Sequence, residues 1–223
     1  VVNFRLVFCL MIKSKGNRKF YYLDNAAATP IAPEVQKEMV RAMKLAGNPS
    51  SFNDAGRAAA EELKKARLTI TRFLGAHAEE VIFTSSGSEA NNLAIQGIAR
   101  NFQFSISNFQ INSKFQNSKP HIITTQIEHP SVLEPIRWLE GEGFDITYLS
   151  VDKEGFINPD KLQNALRPET VLVSIMYANN EIGTIEPINK IGKIIRDFKI
   201  KNLKFKIHET ASPLFHVDAC QAA

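Results

Sequence analysis

Cysteine is scarce in this sequence, with Cys9 and Cys220 the two thiols in 223 residues. Two thiols cannot build a disulfide framework, so the fold must rest on its apolar core, and a reducing, cytoplasmic setting is expected. Long apolar runs are lacking as well, since a bilayer span needs about 20 residues. The stretch Leu6-Val7-Phe8-Cys9-Leu10-Met11-Ile12 is too short, and Lys13, Lys15, Arg18 and Lys19 follow it where a secretory signal needs a small-residue cleavage site. Residues 1–19 are therefore read as an N-terminal extension, with Met11 an alternative start, and no membrane partner is expected. Charge of one sign is modest, a formal +4. Its lysines and arginines are scattered and form no basic stripe beside stacking aromatics, which argues against direct nucleic-acid binding. A small positive excess does suit phosphate and carboxylate ligands. The remainder, 44% hydrophobic and 22% charged, is ordinary for a globular domain.

Strand-like and helix-like segments alternate along the chain. Val35, Met39 and Met43 fall at helical spacing behind Pro33, a residue suited to a first helical turn. Ala59, Leu63, Ala66, Ile70 and Phe73 form an apolar stripe that stops at Gly75. The runs at 81–84, 121–125, 146–149, 171–176 and 215–218 predict strands. Helices are predicted after Ser88, Pro130, Pro159 and Pro187. The alternation implies an α/β fold, a three-layer, mainly parallel sheet with flanking helices. Asn101 to Lys119, polar and without an acid, is expected to be a surface insertion. Residues 199–212 are expected to be irregular.

Four clusters fall where predicted strands end, the edge at which open α/β sheets bind ligands. In Ser85-Ser86-Gly87-Ser88-Glu89-Ala90-Asn91-Asn92, a strand end meets a helix start, and free N–H groups and hydroxyls there can hold a phosphate. A plain N-cap turn explains the same residues. Glu128-His129-Pro130-Ser131 offers an imidazole able to stack on an aromatic ring and to move a proton, or simply to cap a helix. The amides of Asn179-Asn180-Glu181-Ile182-Gly183 need hydrogen-bond partners, which either a ligand or the turn itself can supply. His216-Val217-Asp218-Ala219-Cys220-Gln221 puts an acid at a strand tip, where it can hold a pyridine nitrogen protonated or serve as a cap. No metal site is expected.

These segments, together with Tyr22 to Pro30 and Gly47-Asn48-Pro49-Ser50-Ser51, resemble class V aminotransferases, and within them the NifS-like cysteine desulfurases. The likeness covers about Phe20 to Ala223. It implies one partial domain, residues 20–223, the large pyridoxal 5'-phosphate (PLP) domain of an L-cysteine desulfurase. Such an enzyme passes sulfur to a persulfide and then to an acceptor protein for iron–sulfur cluster assembly or tRNA thiolation, and is a homodimer. Gly87 and Ser88 would hold the cofactor phosphate, and His129 would stack on the ring and transfer protons. Asn180 and Gln221 would lie on the ring's phenolic side, Asp218 would pair with its nitrogen, and Asn25 and Ala26 would face the substrate. The family's usual Ala-Thr is Gly87-Ser88 here. Its cofactor-binding lysine and persulfide cysteine match no residue up to Ala223, so the 223 residues alone are expected to be inactive. Cys220 is read as a small buried filler. Other expectations left open are a selenocysteine lyase, an aminotransferase of the same class, or an inert fragment.

Overall fold

A stripe of alanine and leucine behind a side chain that can cap a helix explains the longest helix of the first part of the chain. A computed structural model describes residues 11–13, 19–108, 119–204 and 213–222. It divides into two units, residues 1–83 and 84–223. In the first, β1 (Met11–Lys13) pairs antiparallel with β2 (Lys19–Tyr21), a pairing that the sequence reading did not foresee. Helix α1 (Pro33–Ala42) starts on its proline as expected. Helix α2 (Asp54–Leu74) begins where the Asn53 side chain accepts the Gly56 N–H, and it stops at Gly75, whose φ of 66° is left-handed.

The second unit builds a parallel sheet. Its strands are β3 (His121–Thr125), β4 (Asp145–Leu149), β5 (Thr170–Ser174) and β6 (Leu214–His216), in the order β4-β3-β5-β6. Helices α3 (Gly87–Asn108), α4 (Pro130–Gly141), α5 (Pro159–Ala165) and α6 (Ile188–Lys204) connect or flank them. Successive strand side chains point to opposite faces. Ile122 therefore joins Ile95 and Ala99 of α3 and Val132, Ile136 and Leu139 of α4 on one side. Ile123 and Val173 join Leu162 of α5 and Ile191 and Ile195 of α6 on the other. Every residue of β3 and β5 is buried, as in strands covered on both faces. The three-layer α/β architecture is thus the observed one.

Three segments depart from expectation. Residues 81–84 form no strand, and Ile82 and Phe83 are exposed. A strand needs a hydrogen-bonded neighbour, and local β propensity does not provide one. Helix α3 continues through Asn108, so the first part of the supposed insertion is helical. Phe102 extends the stripe of Ile95, Ile98 and Ala99 onto the core, and lengthening a formed helix costs little. Residues 109–118 of that insertion lie outside the described residues. Helix α6 likewise runs to Lys204, into a stretch expected to be irregular, while 205–212 lie outside the described residues.

Candidate active site

The first turn of α3 is capped by its own side chains. Ser86 Oγ accepts the Glu89 N–H at 3.2 Å, and Glu89 Oε2 accepts from both the N–H and the hydroxyl of Ser85 at 2.6 Å. The Ser85 hydroxyl and N–H hold the Glu89 carboxyl below its usual range. The N–H groups of Gly87 and Ser88 open the helix, where backbone donors have no acceptor within the helix and the dipole favours an anion. Both residues thus stand in the first turn of the helix.

Asp218 follows the end of β6. Its backbone carbonyl accepts the Tyr177 N–H at 2.8 Å, which fixes it beside the end of β5. The carboxylate is 7% exposed. Its Oδ1 accepts the Cys220 N–H at 3.0 Å and its Oδ2 accepts from Asn91 Nδ2 at 2.9 Å. Burial pushes the Asp218 carboxyl up, but the Cys220 backbone and thiol, and then Asn91, outweigh it and leave the group below its ordinary value. A buried, ionised acid is therefore preformed at the sheet edge.

His129 is the N-cap of α4, its Nδ1 accepting the Ser131 N–H at 3.1 Å, so the capping role is real. The ring is also exposed and lies 2.7 Å from Ser131 Oγ, which accepts from Asn91 Nδ2 at 2.9 Å. His129, Ser131, Asn91 and Asp218 thus form one hydrogen-bonded chain. Of its members, Asn91 and Ser131 had been given no role from sequence. Their signal was position alone, one helical turn into α3 and two residues past the histidine.

The turn after β5 divides the labour of its two amides. Asn179 is spent on the turn, its Oδ1 accepting from Glu181 N and Ile182 N at 2.8 and 3.0 Å. Its Nδ2 donates to Ile127 O at 3.0 Å, which ties the turn to the loop carrying His129. Asn180 is half-buried beside it. Gln221 is exposed in the turn in which Ala222 N–H bonds Ala219 O. Asn25 and Ala26 belong to the first unit, in a turn where Asp24 O accepts the N–H groups of Ala27 and Ala28.

Glu128 anchors this edge from beneath. It is 4% exposed, and its Oε1 accepts from Thr125 Oγ1 at 2.7 Å and Met176 N at 2.8 Å. Its Oε2 is buried with no hydrogen-bond partner among the described residues. Burial pushes this carboxyl up to about 7.

Cys220 corrects one expectation, because it is exposed and is not a buried filler. Its sulfur nonetheless takes the space a side chain at position 87 would need, since a Cβ on Gly87 would lie 2.5 Å from Cys220 Sγ. Burial of the sulfur, its hydrogen bond to Asp218 and that residue's charge push the thiol up to about 11, so it is a poor nucleophile near neutral pH. Gly87→Ala should accordingly force the exposed Cys220 side chain aside, at a cost of about 0.5–1.5 kcal/mol. Adding Cys220→Ala should recover most of that loss in denaturant unfolding. A double variant no more stable than Gly87→Ala would show that the two residues do not share this space.

Residues 21–223 match the family described as aminotransferase class-V. A curated protein named cysteine desulfurase IscS, from Dictyoglomus turgidum, is 45% identical over 201 residues, which is 90% of this chain and 44% of that protein. A mitochondrial cysteine desulfurase from Candida albicans is 43% identical over 203 residues, 90% of this chain and 36% of its own length. The chain thus spans less than half the length of these relatives. A solved structure titled SspA in complex with cysteine superposes with a TM-score of 0.73 at 36% identity, covering 90% of this chain and 51% of that one. With its parallel sheet, its strand-end acid and a match that runs from residue 21 to residue 223, the chain belongs to the aminotransferase class-V family.

Proposed function

We propose that this chain is the cofactor-binding part of a PLP-dependent cysteine desulfurase acting on L-cysteine. The observation that carries the reading is Asp218, a buried acid linked through Asn91 and Ser131 to an exposed imidazole at the edge of a parallel sheet. PLP offers the matching groups, a phosphate for the first turn of α3, a ring nitrogen for Asp218 and an aromatic face for His129. Bound there, PLP would supply the electron sink for bond breaking at an amino acid's α-carbon. The protein's part is to bind and orient. The N–H groups of Gly87 and Ser88 and the Ser88 hydroxyl would hold the anion, and the Asp218 carboxylate would keep the ring nitrogen protonated. His129 would stack on the ring and move a proton, Asn180 and Gln221 would attend the phenolic side, and Asn25 and Ala26 would serve the substrate side.

In this reading residues 20–223 form the large domain, behind an extension of residues 1–19. The names of the relatives and the solved relative holding cysteine support L-cysteine as the substrate. The whole protein would be a cytoplasmic homodimer that passes sulfur to an acceptor protein for iron–sulfur cluster assembly or tRNA thiolation. Among the described residues no helix is long and apolar enough to cross a membrane.

The test uses the protein carrying this chain at its full natural length. Titration with PLP should produce a protein-bound absorbance band. Added L-cysteine should then yield alanine, with sulfide released once a thiol reductant is present. Binding of PLP without alanine formation from L-cysteine would assign the site to another reaction of the class, and absence of PLP binding would remove the reading altogether.

A further inference from the structure

Asn91 is 4% exposed on the buried side of α3, and its amide nitrogen lies 2.9 Å from two oxygens at once, Asp218 Oδ2 and Ser131 Oγ. The geometry settles the direction of each bond. A carboxylate with a lowered proton affinity can only accept, so the Asn91 NH2 group must face it. The second hydrogen of that group points at Ser131 Oγ, which therefore accepts. A hydroxyl that accepts from Asn91 is left with its own hydrogen to give, and the nearest acceptor is His129 Nδ1 at 2.7 Å. The same nitrogen also receives the Ser131 N–H at 3.1 Å. With two donors aimed at Nδ1, the proton of the neutral ring resides on Nε2.

We propose that Asn91 is a positioning residue whose amide joins Asp218 to His129 through Ser131: it fixes the Ser131 hydroxyl as a donor to His129 Nδ1, which reinforces the Nε2–H tautomer that the Ser131 backbone N–H already favours and leaves Nε2 carrying the transferable proton. One side chain on α3 thereby orients the acid of the β6 end and the histidine that opens α4. Its role in the reaction rests on the proposed function, in which both groups flank one ring. The hydrogen-bond chain does not depend on that reading.

The test is nitrogen-15 NMR of histidine-labelled full-length protein, with and without PLP, the His129 signals being assigned by comparison with His129→Gln. The unmodified protein should show Nδ1 as a bare acceptor and the proton on Nε2. Ser131→Ala removes the hydroxyl and Asn91→Leu removes the amide at nearly equal size; in each the residue 131 N–H keeps the proton on Nε2, while the Nδ1 resonance should move toward that of a more weakly hydrogen-bonded acceptor. The titration midpoint of the Asp218 carboxyl, read by carbon-13 NMR, should rise in Asn91→Leu and stay in place in Ser131→Ala. The other groups facing that carboxylate, the Cys220 N–H and thiol, His216 and Glu128, are the same in both variants. A mixture of tautomers already present in the unmodified protein, an Nδ1 resonance unmoved in either variant, or an unmoved Asp218 midpoint in Asn91→Leu overturns the proposal. Should Asn91→Leu fail to fold, the Nδ1 resonance in Ser131→Ala decides alone. If the chain behaves as described but the protein binds no PLP, the functional reading fails and the positioning role stands.

Discussion

Asp218→Asn in the full-length protein should leave PLP bound while lowering alanine formation from L-cysteine by about a hundredfold or more, the scale set by loss of one preorganised charge contact. The substitution nearly keeps the shape but removes the negative charge that holds a proton on the facing nitrogen. Each pKa unit lost there is worth about 1.4 kcal/mol. The local bonding adds a second cost. Both carboxylate oxygens accept, one from Cys220 N and the other from Asn91 Nδ2. A carboxamide has one acceptor oxygen, so its NH2 group must meet a donor, at a stability cost of about 1–3 kcal/mol. His129→Ala should also slow turnover, through lost stacking and proton transfer, yet leave the protonation of the ring nitrogen largely alone. Absorbance of bound PLP across pH, with alanine formation measured beside it, separates the two variants. Near-unchanged turnover in Asp218→Asn would return the strand-end acid to a purely local, turn-capping role.

Acid stability should show two opposing slopes that are separable by mutation. His121 is fully buried between the hydroxyls of Thr170 and Thr147, at 2.9 and 2.8 Å, and burial pushes it down to about 4 from an ordinary 6.5. The unfolded chain binds the proton first as pH falls, so His121 costs stability progressively from pH 6.5 down to about 4. Glu128 works the other way. Burial raises it to about 7 from 4.5, so the folded state binds the proton more tightly, and stability falls as pH rises from 4.5 to about 7. Each group contributes up to about 3 kcal/mol across its window, and the two nearly cancel between them. Glu128→Gln should therefore make stability climb with pH over this range relative to the parent. His121→Gln, which keeps a reach to both threonines, should make it decline. Denaturant midpoints at several pH values for the three proteins provide the measurement. Parallel curves would show that neither group is as buried in solution as the structure has it.

The elements easiest to read from sequence were those with a local cause. Pro33, Pro130 and Pro159 open helices, Gly75 ends one, and the unbroken apolar run after Val171 lies in a strand covered on both faces. The order of strand-end motifs was enough to suggest which residues could meet a cofactor, because a parallel sheet brings the ends of its strands to one edge. Local propensity misled where a partner was required. Residues 81–84 have strand composition and form no strand with any of the described residues, while 101–108 look polar and are carried into a helix by one aromatic at the right spacing.

The sequence by itself determined the fold class and the family, because those depend on periodicity, turn chemistry and motif order. Only the tertiary structure decided how the residues of the sheet edge act together. It brought Asn91 to Asp218 across 127 positions and to Ser131 across 40, gave Asn179 to its own turn, and set the Cys220 sulfur where Gly87 has no side chain. Such pairings come from packing α3 and α4 on one face of the sheet and bringing β6 beside β5, and hydrogen bonds 2.9 Å long between distant residues leave no periodic trace in the chain.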